Sequence, residues 1–221
     1  MNNKAEINEI SISYLELRKA IGFLGVAFPV ALLTGSCLMG YCSPWQSSIS
    51  CYYHTIMRNV FEGVLWIFAI FLMFYRYEKK DNIATTIAGI CALGVASCPT
   101  YICDCATCGN PGYENHTVGY FHFAFAATFF VLLSYISLCL FTKTDKTKTP
   151  TPQKLKRNKV YKTCGIIMLV CIVLIAVYCF LFQKQYPYLE KARPIFCLET
   201  ISLWAFGTSW LIKGEFMLKD K

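Results

Sequence analysis

Residues 116 to 141 read HTVGYFHFAFAATFFVLLSYISLCLF, a run of 26 residues without Asp, Glu, Lys or Arg. A helix needs about 20 mostly apolar residues to cross a hydrocarbon core about 30 Å thick, and this run is longer than that. Similar apolar blocks recur along the 221-residue chain, in which 56% of the residues are hydrophobic and 15% are charged. This composition is typical of an integral membrane protein.

Six apolar segments predict an all-α, polytopic membrane bundle with six transmembrane helices. The third segment contains several small residues, but small residues favour close contacts between membrane helices, so we retain it as a span. The predicted spans are 20–41, 59–75, 83–99, 116–141, 163–182 and 194–212. The chain then divides into an amphipathic N-terminal segment 1–19, a transmembrane domain 20–213 and a tail 214–221.

The basic residues alternate between the segments that connect these spans. Of the 21 Lys and Arg residues, 17 fall in the segments 1–19, 76–82, 142–162 and 213–221. Under the positive-inside rule these four segments are cytoplasmic. We therefore predict that both termini are cytoplasmic and that the protein resides in a plasma membrane, the bacterial inner membrane.

The segment 142–162 carries most of the positive charge. Pro150 and Pro152 predict that it is an extended linker. We interpret the segment first as a topology determinant that contacts anionic lipid head groups. The alternative is that it forms a binding surface for an acidic cytoplasmic ligand. The basic residues concerned are Lys154, Lys156, Arg157, Lys159 and Lys162.

Six of the 13 cysteines lie in or beside the predicted outer loops. An even number of cysteines on the oxidising side of a membrane predicts disulfides, whose pairing the sequence does not define. The alternative is a metal site, because Cys105 and Cys108 form a CxxC pair. The six disulfide candidates are Cys42, Cys51, Cys98, Cys103, Cys105 and Cys108.

Ionisable residues cluster at the outer ends of the predicted spans. Arg58 and Glu62 are four residues apart and share a helical face, while His122 and Glu199 lie a short way inside the fourth and sixth spans. Such groups are costly when they face lipid, so they pair or line a wet cavity. We expect them to converge on one polar pocket open to the outer leaflet, and the alternative is an ionic clasp between helices.

Such a pocket would support general acid–base chemistry or lipid hydrolysis, with Ser50 activated by a neighbouring histidine. A guanidinium could hold an anionic group there with two hydrogen bonds. The cofactor is unknown, and a metal ion held by His and Glu residues is an alternative. The catalytic candidates are Glu62, His122, Glu199, His54 and Ser50, and the ligand-binding candidates are Arg58, Asn59 and His116.

Two short motifs resemble a known family. The outer-loop sequence SIS at 48–50 and the fourth-span opening HTVGYFHFAFAATFF at 116–130 are similar to the DRAM and Sfk-type family of six-span membrane proteins. That family includes autophagy modulators, a Golgi factor for GPI-anchor lipid remodelling and small bacterial relatives. The resemblance implies a compact bundle in which outer-loop residues meet the fourth-span histidine, and a lipid substrate.

Three functions remain open from the sequence. The first is a lipid-handling or lipid-remodelling protein with membrane lipids as partners. The second is a homo-oligomeric channel or effector gated by a ligand at the basic loop, as in bacterial defence or signalling. The third is a non-catalytic membrane scaffold.

Overall fold

Six long helices make up most of the described part of this protein. The computed structural model describes residues 2–40, 43–76, 79–100, 116–144 and 149–219, and no β-strand occurs in them. The helices are α1 (Asn2–Met39), α2 (Arg58–Phe74), α3 (Lys79–Ser97), α4 (His116–Tyr135), α5 (Pro152–Val177) and α6 (Pro194–Lys213). Two π-helical turns, Ile136–Leu140 and Tyr178–Phe182, extend α4 and α5, and two 3-10 helices, Ser50–His54 and Pro187–Ala192, lie in connections.

Four segments are long and apolar enough to cross a membrane. They are Ser13–Met39, His116–Leu140, Pro152–Phe182 and Pro194–Lys213. The helix α2 has 17 residues and is the shortest of the six α-helices. In α3 only the stretch Asn82–Ser97 is apolar, and this stretch is shorter than the four candidate spans. The described residues are therefore all-helical and include four apolar helices of membrane-spanning length, and the count of six spans remains a prediction.

Each helix packs against the next one in the chain, and α6 packs against α1, which closes the ring. Aromatic contacts show that successive helices run in opposite directions. Tyr75, just after α2, stacks on Tyr14 near the start of α1 and contacts Trp210 near the end of α6. Phe141, just after the π turn of α4, also contacts Trp210. We call this end of the ring the basic end and the opposite end, where α6 begins, the Glu199 end.

Aromatic side chains fill the interior of the ring between its two ends. Phe28 lies 6.1 Å from Phe61 and 6.3 Å from Phe68 between ring centroids, and Phe68 lies 5.4 Å from Phe206. Phe206 in turn lies 6.1 Å from Trp210. The outward surface is also apolar, as Phe74, Ile83 and Phe180 and many similar side chains are exposed. A ring that is apolar both inside and outside suits a lipid environment.

Glycines bring α1 and α6 into close contact. A Cβ atom added to Gly207 would lie 2.6 Å from the Gly22 carbonyl oxygen and 3.0 Å from the Val26 nitrogen. A Cβ added to Gly22 would lie 2.8 Å from the Leu211 nitrogen. The two backbones therefore touch without intervening side chains, as small residues permit in membrane helix pairs.

The prediction of an extended basic linker is wrong for most of its length. The basic segment is not an extended linker up to residue 162, because α5 begins at Pro152. Proline is well accommodated in the first turn of a helix, and the Thr151 hydroxyl caps the helix by accepting from the Lys154 N–H at 3.1 Å. The helix α1 runs from Asn2 to Met39, and the assignment of residues 1–19 to a separate cytoplasmic segment stays a prediction.

Candidate functional site

A short segment covers the Glu199 end of the ring. Ser47 accepts a hydrogen bond from the Phe196 N–H at 3.1 Å, and the Ile49 N–H donates to Glu199 Oε2 at 2.6 Å. These two bonds join residues 47–49 to the first two turns of α6. The 3-10 helix Ser50–His54 continues from there to α2 and is buried throughout. We call residues 47–54 the cap segment.

A cavity of about 30 Å³ lies beneath the cap segment. That volume holds about two water molecules. Two of the lining residues, Ser50 and Glu199, are polar, and the other nine are apolar. The apolar ones come from the cap segment and from five of the six helices: Phe28, Ile49, Phe61, Leu65, Val95, Ala126, Phe129, Phe130 and Leu203. Glu199 is thus a single carboxylate in an otherwise apolar chamber.

Arg58 and Glu62 form a separate cluster in α2. Arg58 Nε donates to Glu62 Oε1 at 2.6 Å, and its Nη2 donates to the Tyr53 hydroxyl at 2.5 Å. The guanidinium carbon also lies 4.2 Å from the centre of the Tyr53 ring. Burial raises the pKa of the Tyr53 phenol, against the opposing effect of the Arg58 charge, so the phenol is neutral at neutral pH. Neither charged residue lines the cavity.

The Arg58–Glu62 pair is expected to contribute little to stability. Its side chains are 42% and 28% exposed, and a solvated pair four residues apart within one helix contributes at most about 1 kcal/mol. Glu62→Gln should therefore lower the melting temperature of the purified protein by no more than about 4 °C. A fall of 10 °C or more in a thermal denaturation experiment would contradict this assignment and indicate a buried clasp.

The two buried histidines bind the backbone after α3. His54 Nε2 lies 2.9 Å from the Thr100 carbonyl oxygen, and His122 Nδ1 lies 2.7 Å from the Cys98 carbonyl oxygen. The other ring nitrogen of His122 is buried without a hydrogen-bond partner among the described residues. Neither histidine lines the cavity, and no hydrogen bond among the described residues joins Ser50 to either one.

The predicted single pocket is therefore wrong. Glu199 and Ser50 share the cavity, Arg58 pairs with Glu62 in the same helix, and the histidines hold backbone carbonyls. The physical reason is that each polar group finds a partner locally, so no common chamber is required. The remaining ligand-binding candidates, Asn59 and His116, are exposed at the starts of α2 and α4. The sequence gives no signal for two groups of the site. One is the Ile49 N–H, which is the direct partner of Glu199, and the other is the Tyr53 phenol.

The metal and cysteine predictions have mixed outcomes. Within the described residues no group of three His, Cys, Asp or Glu side chains could hold a metal ion. Cys98 carries a free thiol, so its prediction as a disulfide candidate is wrong. Cys51 is disulfide-bonded, and no disulfide joins two of the described cysteines. Four other candidates, Cys42, Cys103, Cys105 and Cys108, lie outside the described ranges.

The basic residues predicted as a loop lie on the first three turns of α5. Lys156, Lys159 and Lys162 are exposed, whereas Lys154 and Arg157 are partly buried. Comparison of the chain with protein-family models, with curated proteins and with solved structures finds no match. The function of the protein is therefore inferred from the geometry of its own residues.

Proposed function

We propose that this protein handles a membrane lipid, whose polar group enters the cavity beneath the cap segment and binds Glu199. The supporting observation is the position of the Glu199 carboxyl group, which is the one acidic group lining the cavity and shares it with a single other polar side chain, Ser50. One of its oxygens accepts from the Ile49 N–H. The carboxylate retains further capacity to accept hydrogen bonds, since it has two oxygens with about four acceptor positions.

The chemistry of the cavity limits the ligand. A carboxylate in an apolar chamber favours a hydrogen-bond donor or a cation, so the group that binds is a hydroxyl, an amide or an ammonium. A volume of about 30 Å³ admits only a small group. The rest of the ligand must stay outside the cavity, as the acyl chains of a lipid in the surrounding bilayer would. Binding is favoured over hydrolysis, because Ser50 has no hydrogen bond to a histidine among the described residues.

The proposal includes an orientation in the membrane. We infer six spans, cytoplasmic termini at the basic end and a Glu199 end on the outer side of a bacterial inner membrane. The charge distribution supports this orientation under the positive-inside rule. The disulfide at Cys51 supports it as well, because disulfides persist on the oxidising side of a membrane. A lipid ligand also agrees with the resemblance to the DRAM and Sfk-type family.

A pore through one subunit receives less support. The aromatic rings from Phe61 and Phe68 to Phe206 and Trp210 occupy the interior between the cavity and the basic end. A conducting path requires polar lining or a hydrated constriction along its length. If the protein conducts ions as an oligomer, the conducting path would have to lie between the subunits.

Lipid retention tests the proposal. The full chain is purified in a mild detergent, and co-purified lipids are identified and quantified by mass spectrometry as moles per mole of protein. Glu199→Gln keeps the shape of the side chain but removes its charge. Because hydrogen bonds to charged groups contribute about 1.5–3 kcal/mol, we expect at least about a tenfold loss of one lipid class.

Two further variants make the result specific. Ala126→Leu narrows the cavity without altering the carboxylate and should cause the same loss. Glu190→Gln makes the same chemical change in the connection before α6, outside the cavity, and should retain the lipid. Melting temperatures confirm that each variant is folded. If wild type and Glu199→Gln carry the same lipids in the same ratio, the proposal is wrong.

A further inference from the structure

Four phenylalanine side chains line the cavity beneath the cap segment together with Glu199. They are Phe28 in α1, Phe61 in α2, and Phe129 and Phe130 in α4. The first three are at most 3% exposed. The ring centroids of Phe28 and Phe61 lie 6.1 Å apart, and those of Phe129 and Phe130 lie 5.7 Å apart. Aromatic rings from three helices therefore border a cavity whose one acidic group is Glu199.

The described residues supply no positive group to the Glu199 carboxyl. Its Oε2 accepts from the Ile49 N–H at 2.6 Å, and no ion pair within the described part of the chain includes Glu199. The other polar side chain at the cavity is the neutral hydroxyl of Ser50. A carboxylate in apolar surroundings is costly unless a cation pairs with it. A positively charged group of the ligand would supply that partner.

The phenylalanine rings favour the same kind of ligand. The face of an aromatic ring attracts a cation through the ring quadrupole, and the attraction is stronger where water is excluded. A neutral hydroxyl or amide can hydrogen-bond to the carboxyl group, but it gains no comparable attraction from the rings. Of the three donor groups that suit Glu199, the ammonium is therefore the one that both the carboxyl group and the rings stabilise.

The volume of the cavity distinguishes one ammonium group from another. About 30 Å³ holds about two water molecules. At about one water-sized position for each heavy atom, a primary ammonium and its adjoining carbon fit into this space. A trimethylammonium group consists of a nitrogen and three methyl groups and is too large for it. The cavity thus suits an unmethylated ammonium at the end of a chain.

We propose that the cavity binds a primary ammonium group, which pairs with Glu199 among the four phenylalanine rings. This inference rests on the proposed lipid binding at the same site, and it narrows the ligand from three chemical classes to one. The ammonium pairs with the carboxylate, so the occupied cavity carries no net charge. A membrane lipid with such a group is phosphatidylethanolamine, and a soluble primary amine carries the same group.

Lipid titration tests the inference, with the melting temperature of the delipidated full chain in a neutral detergent as the readout. Phosphatidylethanolamine is compared with two references in mixed micelles. Phosphatidylpropanol carries a methyl group in place of the ammonium, and phosphatidylcholine keeps the net charge but has a trimethylated nitrogen. We expect the wild type to bind phosphatidylethanolamine at least about tenfold more tightly than either reference, the effect of one charge-assisted contact.

A second arm identifies the source of the ammonium. Ethanolamine hydrochloride is added without lipid, with sodium chloride at the same ionic strength as the reference. Stabilisation by phosphatidylethanolamine alone identifies a lipid head group as the ligand. Stabilisation by ethanolamine as well shows that a soluble amine is sufficient.

Substitutions establish whether the preference arises in the cavity. Phe129→Leu keeps an apolar side chain but removes a ring, and it should reduce the preference for phosphatidylethanolamine over phosphatidylpropanol by about threefold or more. Glu199→Gln should abolish the preference. Phe71→Leu makes the same change as Phe129→Leu at a buried ring outside the cavity and should leave the preference unchanged. The preference is a ratio within one variant, so a general loss of stability cancels.

Three results would overturn the inference. Equal affinity of the wild type for phosphatidylethanolamine and phosphatidylpropanol is the first, and equal losses of preference in Phe71→Leu and Phe129→Leu are the second. The third is a lipid without a primary ammonium that the wild type retains and Glu199→Gln loses. That result leaves the lipid-handling proposal intact, whereas a Glu199→Gln protein with unchanged binding of every lipid contradicts both.

Discussion

Gly207→Val should lower the melting temperature of the purified protein by roughly 10 °C and reduce the fraction that elutes as a monodisperse species. The added Cβ would lie 2.6 Å from the Gly22 carbonyl oxygen, a backbone atom that cannot move aside alone. To accept it, α6 must separate from α1 along their shared face. Overpacking of a tight interface costs about 1–3 kcal/mol or more, and the second branch of valine adds to that cost.

Gly63→Val is the matched control for this prediction. Gly63 also lies within a helix, but a Cβ added there would meet no atom within 4 Å. Valine has a better helix propensity than glycine, so the control should be neutral or slightly stabilising. The two variants are compared by size-exclusion chromatography and thermal denaturation in the same detergent. Equal melting temperatures for both would show that the α1–α6 contact is looser than the structure indicates.

Trp210→Ala should destabilise the protein by about 3–5 kcal/mol, the cost of removing a large buried aromatic side chain. Trp210 is 1% exposed and contacts Phe71, Tyr75, Phe141 and Phe206. Its removal leaves a cavity between α6, the end of α2 and the residue that follows the π turn of α4. Thermal or denaturant unfolding in detergent measures the loss in unfolding free energy.

Trp66→Ala provides the comparison for Trp210→Ala. Trp66 is 48% exposed on the outer surface of α2, so its removal leaves no internal cavity, and its loss should cost less than about 1 kcal/mol. The packing of the basic end is tested by the difference between the two losses in unfolding free energy, and not by the absolute loss for either tryptophan. A larger effect for Trp66 than for Trp210 would be incompatible with the arrangement of the helices.

Much of the helical architecture could be predicted from the sequence. The uncharged apolar block 116–141 gave α4 with its π turn, and the predicted span 194–212 gave α6, each within one residue of the observed ends, because membrane length is a strong physical constraint. The start of α5 was missed, since the polar residues that precede its apolar block also favour helix and Thr151 caps the helix there, and α1 likewise begins before its apolar block. Hydropathy reports where a chain is apolar, and it does not report where a helix begins.

The site was less predictable than the fold. Sequence spacing placed Arg58 and Glu62 on one helical face, and the structure pairs them as that spacing allows. The partner of Glu199 is a backbone N–H, which every residue except proline possesses, so no pattern of side chains could identify it. The positions of His54 and His122 depend on carbonyls after α3, which are equally invisible in a sequence.

The contact between Gly22 and Gly207 joins the first and last helices of the chain, and this has a consequence for biosynthesis. The intervening helices can associate in pairs as they leave the ribosome, but the groove on α1 stays unfilled until α6 has been inserted. A chain truncated before residue 194 would expose that groove permanently and offer it to other helices. Closure of the ring is therefore tied to the synthesis of α6, and products that stop before it are expected to be substrates for membrane proteases.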